Sequence, residues 1–192
     1  MKTNTGFNVN KPVVLVFGGS QGAQAINEAI IGIAKDSLNK DYQIMWATGP
    51  KQYDLIKEKF ENEDLNINNI NNMKIVPYIY NMEEVMGMSD IIVARSGAMT
   101  VTEISNMGKP AIFIPLPNVS NDHQLYNAKV LEKVNAAKII LNRDLTAEKL
   151  NEEIKNIANY PQKMKELGIN ATKIATRDVE DKIYTEVKKI TN

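Results

Sequence analysis

The chain contains the stretch Ile91-Ile92-Val93-Ala94-Arg95-Ser96-Gly97-Ala98-Met99-Thr100-Val101-Thr102-Glu103, which predicts a buried strand, a tight turn and a helix start. The apolar run is typical of a strand covered on both faces, and Ser96-Gly97 supplies the turn. Backbone N–H groups and the positive end of the helix dipole then face outward at the carboxyl end of the strand. Glu103 lies one turn beyond Met99, so its carboxylate can reach a ligand held at this helix start.

A second strand-to-helix crossing has the sequence Gly18-Gly19-Ser20-Gln21-Gly22-Ala23 and follows the apolar run Val13–Phe17. Glycine allows the backbone to approach a diphosphate, and Ser20 adds a hydroxyl donor. The pattern is neither G-x-G-x-x-G nor a P-loop, and a plain tight turn without a ligand is the alternative. Two glycine-bearing crossings in one chain favour a nucleotide-diphosphate ligand.

Short apolar runs alternate with helical periodicity along the chain. We expect strands at residues 13–17, 42–47, 73–76, 91–94, 111–114 and 138–141. Helices are expected at 23–38, 51–60, 82–88, 99–107, 122–134 and 147–159, with a surface loop at 61–72 and two further helices within 161–190. Thr146 is the expected N-cap of the helix that follows it.

This alternation, without a hairpin signal, predicts an α/β fold: a doubly wound, Rossmann-like domain with a parallel six-stranded sheet and extra C-terminal helices. We expect a single domain over residues 1–192, with a core at 11–160 and the additional helices at 161–192. The ligand should lie at the carboxyl ends of the strands, near a switch point of the sheet.

A third candidate segment, Pro115-Leu116-Pro117-Asn118-Val119-Ser120-Asn121-Asp122-His123-Gln124-Leu125-Tyr126-Asn127-Ala128, reaches the same edge of the sheet. Asn121 or Asp122 is expected to cap the helix. Gln124 and Asn127 lie in its first turns, where amide side chains suit sugar hydroxyls. His123 is either a general base or an uncharged hydrogen-bonding or capping residue.

Several other side chains have both a functional and a structural interpretation. Arg95 can neutralise phosphate, hold the loop or form an ion pair, and Glu103 can bind ribose hydroxyls or be a solvated first-turn residue. In the segment Pro77-Tyr78-Ile79-Tyr80-Asn81-Met82, Tyr78 or Ile79 could hold a flat base, or Ile79 could belong to the core.

Composition excludes some functions and gives no support to others. The 23 basic residues balance 23 acidic ones, so net charge offers no argument for a nucleic-acid partner. The absence of cysteine excludes thiolate chemistry, and the single histidine argues against a zinc site. No apolar run approaches the roughly 20 residues needed to span a bilayer, and the polar residues 1–11 do not form a signal peptide.

The chain resembles the MurG family of UDP-N-acetylglucosamine transferases. The resemblance lies in the three candidate segments together with two further stretches, Gly108-Lys109-Pro110-Ala111 and Ala136-Ala137-Lys138. The resemblance rests mainly on about residues 11–142 and extends to the C-terminal helices. It implies the GT-B arrangement of two Rossmann-like halves, of which this chain is similar to the C-terminal, donor-binding half. The acceptor-binding half has no counterpart in this sequence.

The resemblance implies a role for individual residues but no catalytic residue in this half. Ser20 would contact the phosphates or adjacent parts of the donor, and the residues Ala98-Met99-Thr100 the diphosphate. Glu103 would contact the ribose, Ile79 the uracil, and His123 with Gln124 the sugar. The predicted donor-binding residues are Gly19, Ser20, Gln21, Ile79, Arg95, Ser96, Gly97, Ala98, Met99, Thr100, Glu103, His123, Gln124 and Asn127.

The resemblance also implies an activity: inverting transfer of N-acetylglucosamine from UDP-N-acetylglucosamine to lipid-linked N-acetylmuramyl-pentapeptide in peptidoglycan synthesis. The family uses no metal or other cofactor, and no Asp-x-Asp motif occurs here. The implied partners are the UDP-sugar, an N-terminal acceptor-binding half and, through it, the lipid-linked acceptor. The implied location is cytoplasmic, at the inner face of the bacterial membrane. Alternatives are a subunit of a two-chain glycosyltransferase, a non-catalytic subunit that docks a membrane-anchored partner, and a relative using another UDP-sugar.

Overall fold

Strand β1, Val13–Phe17, occupies the middle of the sheet, and all five of its residues are buried. In the computed structural model, which describes residues 6–117, 122–175, 184 and 187–189, β1 pairs in parallel with β2 (Gln43–Ala47) and β4 (Ile91–Ala94). A strand with neighbours on both sides and helices on both faces has no solvent-facing residue, which explains its uninterrupted apolar sequence.

The sheet is completed by β3 (Met73–Val76), β5 (Ala111–Phe113) and β6 (Ala137–Ile139). Its strand order is β3-β2-β1-β4-β5-β6, and every pair is parallel. The predicted doubly wound, six-stranded, Rossmann-like fold is therefore confirmed. The winding direction reverses between β1 and β4, so the switch point lies at their carboxyl ends.

Helices cover both faces of the sheet. One core contains Val14 and Val16 with α1 (Gln24–Lys35), α2 (Pro50–Glu61) and α6 (Ala147–Ala158). The other contains Val13, Leu15 and Phe17 with α3 (Met82–Met88), α4 (Ala98–Met107) and α5 (His123–Lys133). A final described helix, α7 (Pro161–Thr172), places Leu167 in the first core and Ala171 in the second.

Some expected boundaries are wrong for local reasons. The first helix ends at Lys35, not residue 38, because Ser37 takes a left-handed conformation (φ 50°) and the Leu38 N–H donates to the Ile33 carbonyl at 3.0 Å. The expected loop at 61–72 includes a 3₁₀ turn at Ile67–Asn69, where Ile67 is buried.

Two expected N-caps have different outcomes. The Thr146 hydroxyl accepts a hydrogen bond from the Lys149 N–H at 3.2 Å, which confirms this cap. Asp122 is at the N-cap position of α5, but its side chain makes no capping bond because its own backbone is left-handed (φ 49°). Asn121 and most of the second expected C-terminal helix lie outside the described residues. No helix in the described ranges has the length and apolar character to cross a bilayer.

We expect Gly168→Ala to destabilise the fold. An added Cβ would lie 2.5 Å from the Gly108 carbonyl oxygen, so α7 must move away from the end of α4. Overpacking costs about 1–3 kcal/mol, which exceeds the gain of about 1 kcal/mol from helix propensity. Gly87→Ala is the matched control, because its Cβ would meet nothing within 4 Å and should leave stability unchanged or raised. Urea denaturation measures both, and a Gly168→Ala chain as stable as wild type would contradict this packing.

Candidate functional site

A cavity of about 550 Å³ opens at the carboxyl ends of β1 and β4, at the switch point of the sheet. The segments after β1, β4, β5 and β6 all contribute to its wall. The lining residues are Gly18, Gly19, Gly22, Ala23, Gln24, Ala25, Glu28, Arg95, Gly97, Thr100, Leu116, Pro117, Gln124 and Asn142.

The loop after β1 forms one side of the cavity and packs too closely for larger residues. The Gly22 N–H donates to the Gly19 carbonyl at 3.0 Å, which closes the turn. A Cβ on Gly22 (φ 78°) would lie 2.2 Å from the Thr48 carbonyl oxygen, whereas one on Gly19 (φ 88°) would meet nothing within 4 Å. The loop is thus packed against the Thr48–Gly49 backbone at Gly22, whereas Gly19 has free space beside it.

Helices α1 and α4 both begin at this cavity. Ala23 precedes α1 and Gly97 precedes α4, and no side chain in the described residues caps either helix. The first N–H groups of a helix have no partner within the helix, and they carry the positive end of its dipole. Two uncapped helix starts therefore give the cavity a positive potential and donors for an anion.

A hydrogen-bond network fixes the turn before α4 to the start of α5. The Ser96 hydroxyl donates to the Gln124 carbonyl at 2.8 Å, and the Asn127 Nδ2 donates to the Ser96 carbonyl at 3.1 Å. The Gln124 Oε1 accepts from the Leu116 N–H at 3.0 Å. Because Ser96 is fully buried, its side chain and that of Asn127 shape the rim by holding these two helix starts together.

Arg95 supports the loop after β5. Its Nη1 donates to the carbonyls of Ile114 at 2.9 Å and Pro115 at 3.1 Å, so the interpretation that it holds the loop is confirmed. Burial lowers the pKa of the guanidinium from its ordinary value, yet an arginine stays charged at neutral pH. An anion in the cavity would offset the cost of burying this charge.

Two buried polar atoms at the cavity have no hydrogen-bond partner in the described residues: the Arg95 Nε and the Asn142 Oδ1. Both residues line the cavity. Buried polar groups are usually satisfied, and each exception needs an explanation. Arg95 and Asn142 thus each keep one donor or acceptor that the described residues do not use, although both atoms are closed to solvent.

The predicted residues fall into three groups. Five line the cavity, namely Gly19, Arg95, Gly97, Thr100 and Gln124. Exposed residues of the loop after β1 and of the starts of α4 and α5 lie outside the lining, namely Ser20, Gln21, Ala98, Met99 and His123. The remaining four, Ile79, Ser96, Glu103 and Asn127, also lie outside this lining. Ligand contacts of all fourteen stay predictions.

Glu103 and Ile79 have surroundings of their own. Glu103 is exposed and lines a separate cavity of about 260 Å³ with Met82, Met86 and other residues of α3 and α4. The Ile79 side chain is only 5% exposed and packs in the core, so a ligand would meet mainly its backbone. Tyr78, in contrast, is 42% exposed and packs edge-to-face against Tyr80 with ring centroids 5.1 Å apart.

Sequence reasoning missed Asn142, Glu28 and Ala25 as lining residues. Asn142 begins a 3₁₀ turn soon after β6, so the strand-end argument applied to the last strand could have found it. Glu28 lies one turn into α1, where its carboxylate accepts from the Gln24 Nε2 at 2.8 Å. Nothing in the local sequence distinguishes Ala25 and Glu28 from other surface residues of α1.

The parallel sheet with its cavity at the switch point is the arrangement typical of a nucleotide-binding domain. The chain belongs to the family of glycosyltransferase family 28 C-terminal domains, whose model matches residues 13–183. The resemblance predicted from sequence, including the C-terminal half, is therefore confirmed.

Individual relatives agree with this assignment. A protein from Thermoanaerobacter sp. (strain X514), named UDP-N-acetylglucosamine--N-acetylmuramyl-(pentapeptide) pyrophosphoryl-undecaprenol N-acetylglucosamine transferase, is 43% identical over 98% of this chain and 51% of its own length. A protein of the same name from Caldanaerobacter subterraneus subsp. tengcongensis is 39% identical over 97% of this chain and 50% of its own. The crystal structure of Acinetobacter baumannii MurG superposes with a TM-score of 0.79 at 30% sequence identity. The match covers 95% of this chain and 51% of the MurG chain. The chain thus spans about half the length of the relatives it matches.

We expect Ser96→Ala to lower the free energy of unfolding by about 1 kcal/mol, because the buried hydroxyl joins α5 to the turn before α4. Thr102→Ala is the control: its hydroxyl also donates to a backbone carbonyl, Ala98 at 3.0 Å, but within one exposed helix turn. Thermal or urea unfolding compares them. Equal stability losses for the two variants would mean that the Ser96 bond contributes nothing to joining the helix starts.

Proposed function

We propose that this chain binds UDP-N-acetylglucosamine as the donor half of an inverting glycosyltransferase. The complete enzyme would transfer N-acetylglucosamine to lipid-linked N-acetylmuramyl-pentapeptide in peptidoglycan synthesis. The observation that carries the proposal is the cavity between two uncapped helix starts, with Arg95 in its wall. The names of the relatives supply the sugar and the acceptor.

The chemistry of the reaction explains why such a cavity is useful. In an inverting transfer, an acceptor hydroxyl attacks the anomeric carbon of the sugar from the side opposite UDP. The bond from that carbon to the phosphate oxygen breaks, and UDP leaves with additional negative charge. Preorganised N–H donors and the positive helix ends stabilise that charge as it develops. We propose that they do so without a bound metal or cofactor, so a chelator should not weaken donor binding.

Each part of the donor has a proposed location. The amides around Gly19 and Gly22, the Ser20 hydroxyl and the start of α4 would hold the diphosphate. Glu103 would accept hydrogen bonds from the ribose hydroxyls. The uracil would lie against the backbone of Ile79 and the exposed ring of Tyr78. The sugar would extend toward His123 and Gln124, at the end of the cavity that Leu116, Pro117 and Asn142 also line.

The acceptor would be bound elsewhere. Because the chain spans about half of its relatives, we propose that an N-terminal acceptor-binding half, in the same protein or a separate chain, positions the acceptor hydroxyl. The undecaprenol in the relatives' names supports action at a membrane, and we propose the cytoplasmic, inner face of the bacterial membrane. By itself this chain should bind donor but transfer poorly, since we place the groups that position the acceptor hydroxyl in the other half.

We expect calorimetry to show binding of UDP-N-acetylglucosamine and UDP to the wild-type chain, unchanged by EDTA. Glu103→Gln should weaken UDP binding by about 1 kcal/mol, because a charge-assisted bond to the ribose becomes a neutral one. Glu58→Gln on the exposed surface of α2 is the control and should bind normally. Absence of any binding at millimolar ligand would overturn the proposed function, whereas an unaffected Glu103→Gln variant would remove Glu103 from the site.

We expect Asn142→Ala to weaken binding of UDP-N-acetylglucosamine roughly tenfold, without weakening UDP binding or stability. Asn142 lines the cavity, and its Oδ1 has no partner in the described residues, so the substitution breaks no described hydrogen bond of that oxygen and removes a polar side chain that we place beside the sugar. Asn127→Ala is the opposite case and should lower stability, because it breaks the bond to the Ser96 carbonyl. Equal losses of UDP and UDP-sugar affinity in Asn142→Ala would contradict a contact with the sugar.

A further inference from the structure

We infer that Asn27 is a positioning residue for the diphosphate, acting through the Thr48–Gly49 turn on the glycine loop Gly18–Gly22. Asn27 is 2% exposed and does not line the cavity at the switch point, so it cannot contact the ligand there directly. It connects three elements: its own helix α1, the end of β2 and the start of α2. The inference rests on the proposed function, because the position of the Gly18–Gly22 loop affects binding only if the loop holds a diphosphate.

The carboxamide of Asn27 makes three hydrogen bonds. Its Nδ2 donates to the Thr48 carbonyl at 2.9 Å and to the Gln52 Oε1 at 2.6 Å. Its Oδ1 accepts from the indole N–H of Trp46 at 2.9 Å. An indole N–H only donates and a backbone carbonyl only accepts, so the carboxamide has one permitted orientation. Trp46 therefore fixes the side on which Asn27 presents its donor to Thr48.

The Thr48–Gly49 turn, held on one side by Asn27, presses on the glycine loop on the other. An ideal Cβ on Gly22 would lie 2.2 Å from the Thr48 carbonyl oxygen, so the two backbones leave no room for a side chain there. A Cβ on Gly49 would lie 2.6 Å from the Gly22 Cα and 2.7 Å from the Gln21 carbonyl carbon. With no side chain between the two backbones, a displacement of the turn must displace the loop.

The turn has further anchors on α2 and at the end of β3. The Gly49 carbonyl accepts from the N–H groups of Gln52 at 3.0 Å and Tyr53 at 3.1 Å, in the first turn of α2. The Thr48 N–H donates to the Val76 carbonyl and the Gly49 N–H to the Pro77 carbonyl, both at 3.1 Å. These bonds tie the turn to the end of β3, away from α1. The Asn27 bond is the contact among the described hydrogen bonds that ties it to α1, the helix whose start borders the cavity. Asn27 therefore fixes the Thr48–Gly49 turn, and through it the glycine loop, relative to α1.

The test compares UDP with uridine, which lacks the diphosphate. In NMR titrations of the whole chain, Asn27→Leu should weaken UDP binding roughly tenfold, as expected for loss of buried hydrogen bonds, and leave uridine binding unchanged. Asn27→Asp is a second variant of the same size, which keeps an acceptor for Trp46 but removes the donor to Thr48. It should show the same selective loss, and it provides the test if the leucine variant does not fold.

The control is Tyr42→Phe, which removes a partly buried hydrogen bond of 2.8 Å to Asn151 beside the opposite end of β2. It should lower stability without changing the binding of either ligand. If the Asn27 variants bind UDP like wild type, or lose UDP and uridine equally, the positioning role is overturned while the proposed function stands. If the wild-type chain does not bind UDP, both are overturned.

Gly22→Ala disturbs the contact between Thr48 and Gly22 from the side of the loop. It should also weaken UDP binding, and its effect combined with Asn27→Leu should be smaller than the sum of the two. Residues acting through one contact are not independent, whereas distant ones are additive. A fully additive double variant would mean that Asn27 does not act through the Thr48–Gly22 contact.

Discussion

Two adjacent parallel strands, β1 and β4, each lead into a helix at the same edge of the sheet, and the site depends on this constraint. Since winding diverges between these strands, α1 and α4 pack on opposite faces and their starts border one cavity. Parallel pairing leaves no alternative, because every strand must end at this edge. The fold thereby directs the first N–H groups and the positive dipole ends of two helices at one cavity, whose wall also contains Arg95.

Glycine allows the chain to use this geometry. At Gly22 and Gly49 two backbones meet where side chains would not fit, and this contact holds the loop in place while Gly19 stays open to solvent. A similar contact between Gly108 and Gly168 holds α7 against the end of α4 on the amino-terminal side of the sheet. Small residues thus determine both the shape of the proposed phosphate site and the attachment of the last described helix.

The fold could be predicted from sequence because its strands are buried on both faces and appear as apolar runs such as Val13–Phe17. Strand ends followed by glycine also indicated correctly that the cavity lies at the carboxyl-terminal edge of the sheet. The rim was less predictable, because its side chains pair over long separations: Asn127 reaches Ser96 across 31 positions, and Asn27 reaches Thr48 across 21. Local sequence therefore could not show that Asn127 and Ser96 hold the rim together, nor that Asn27 reaches the turn after β2.

Amide chemical shifts of a ¹⁵N-labelled chain during a titration with UDP test the central claim most directly. Binding between the two helix starts predicts the largest shift changes at the amides of Gly19, Gly22 and the residues 97–100. Adding uridine in place of UDP should leave those amides nearly unchanged. Saturable shifts confined to another surface, with the amides of the two helix starts unmoved, would contradict the account.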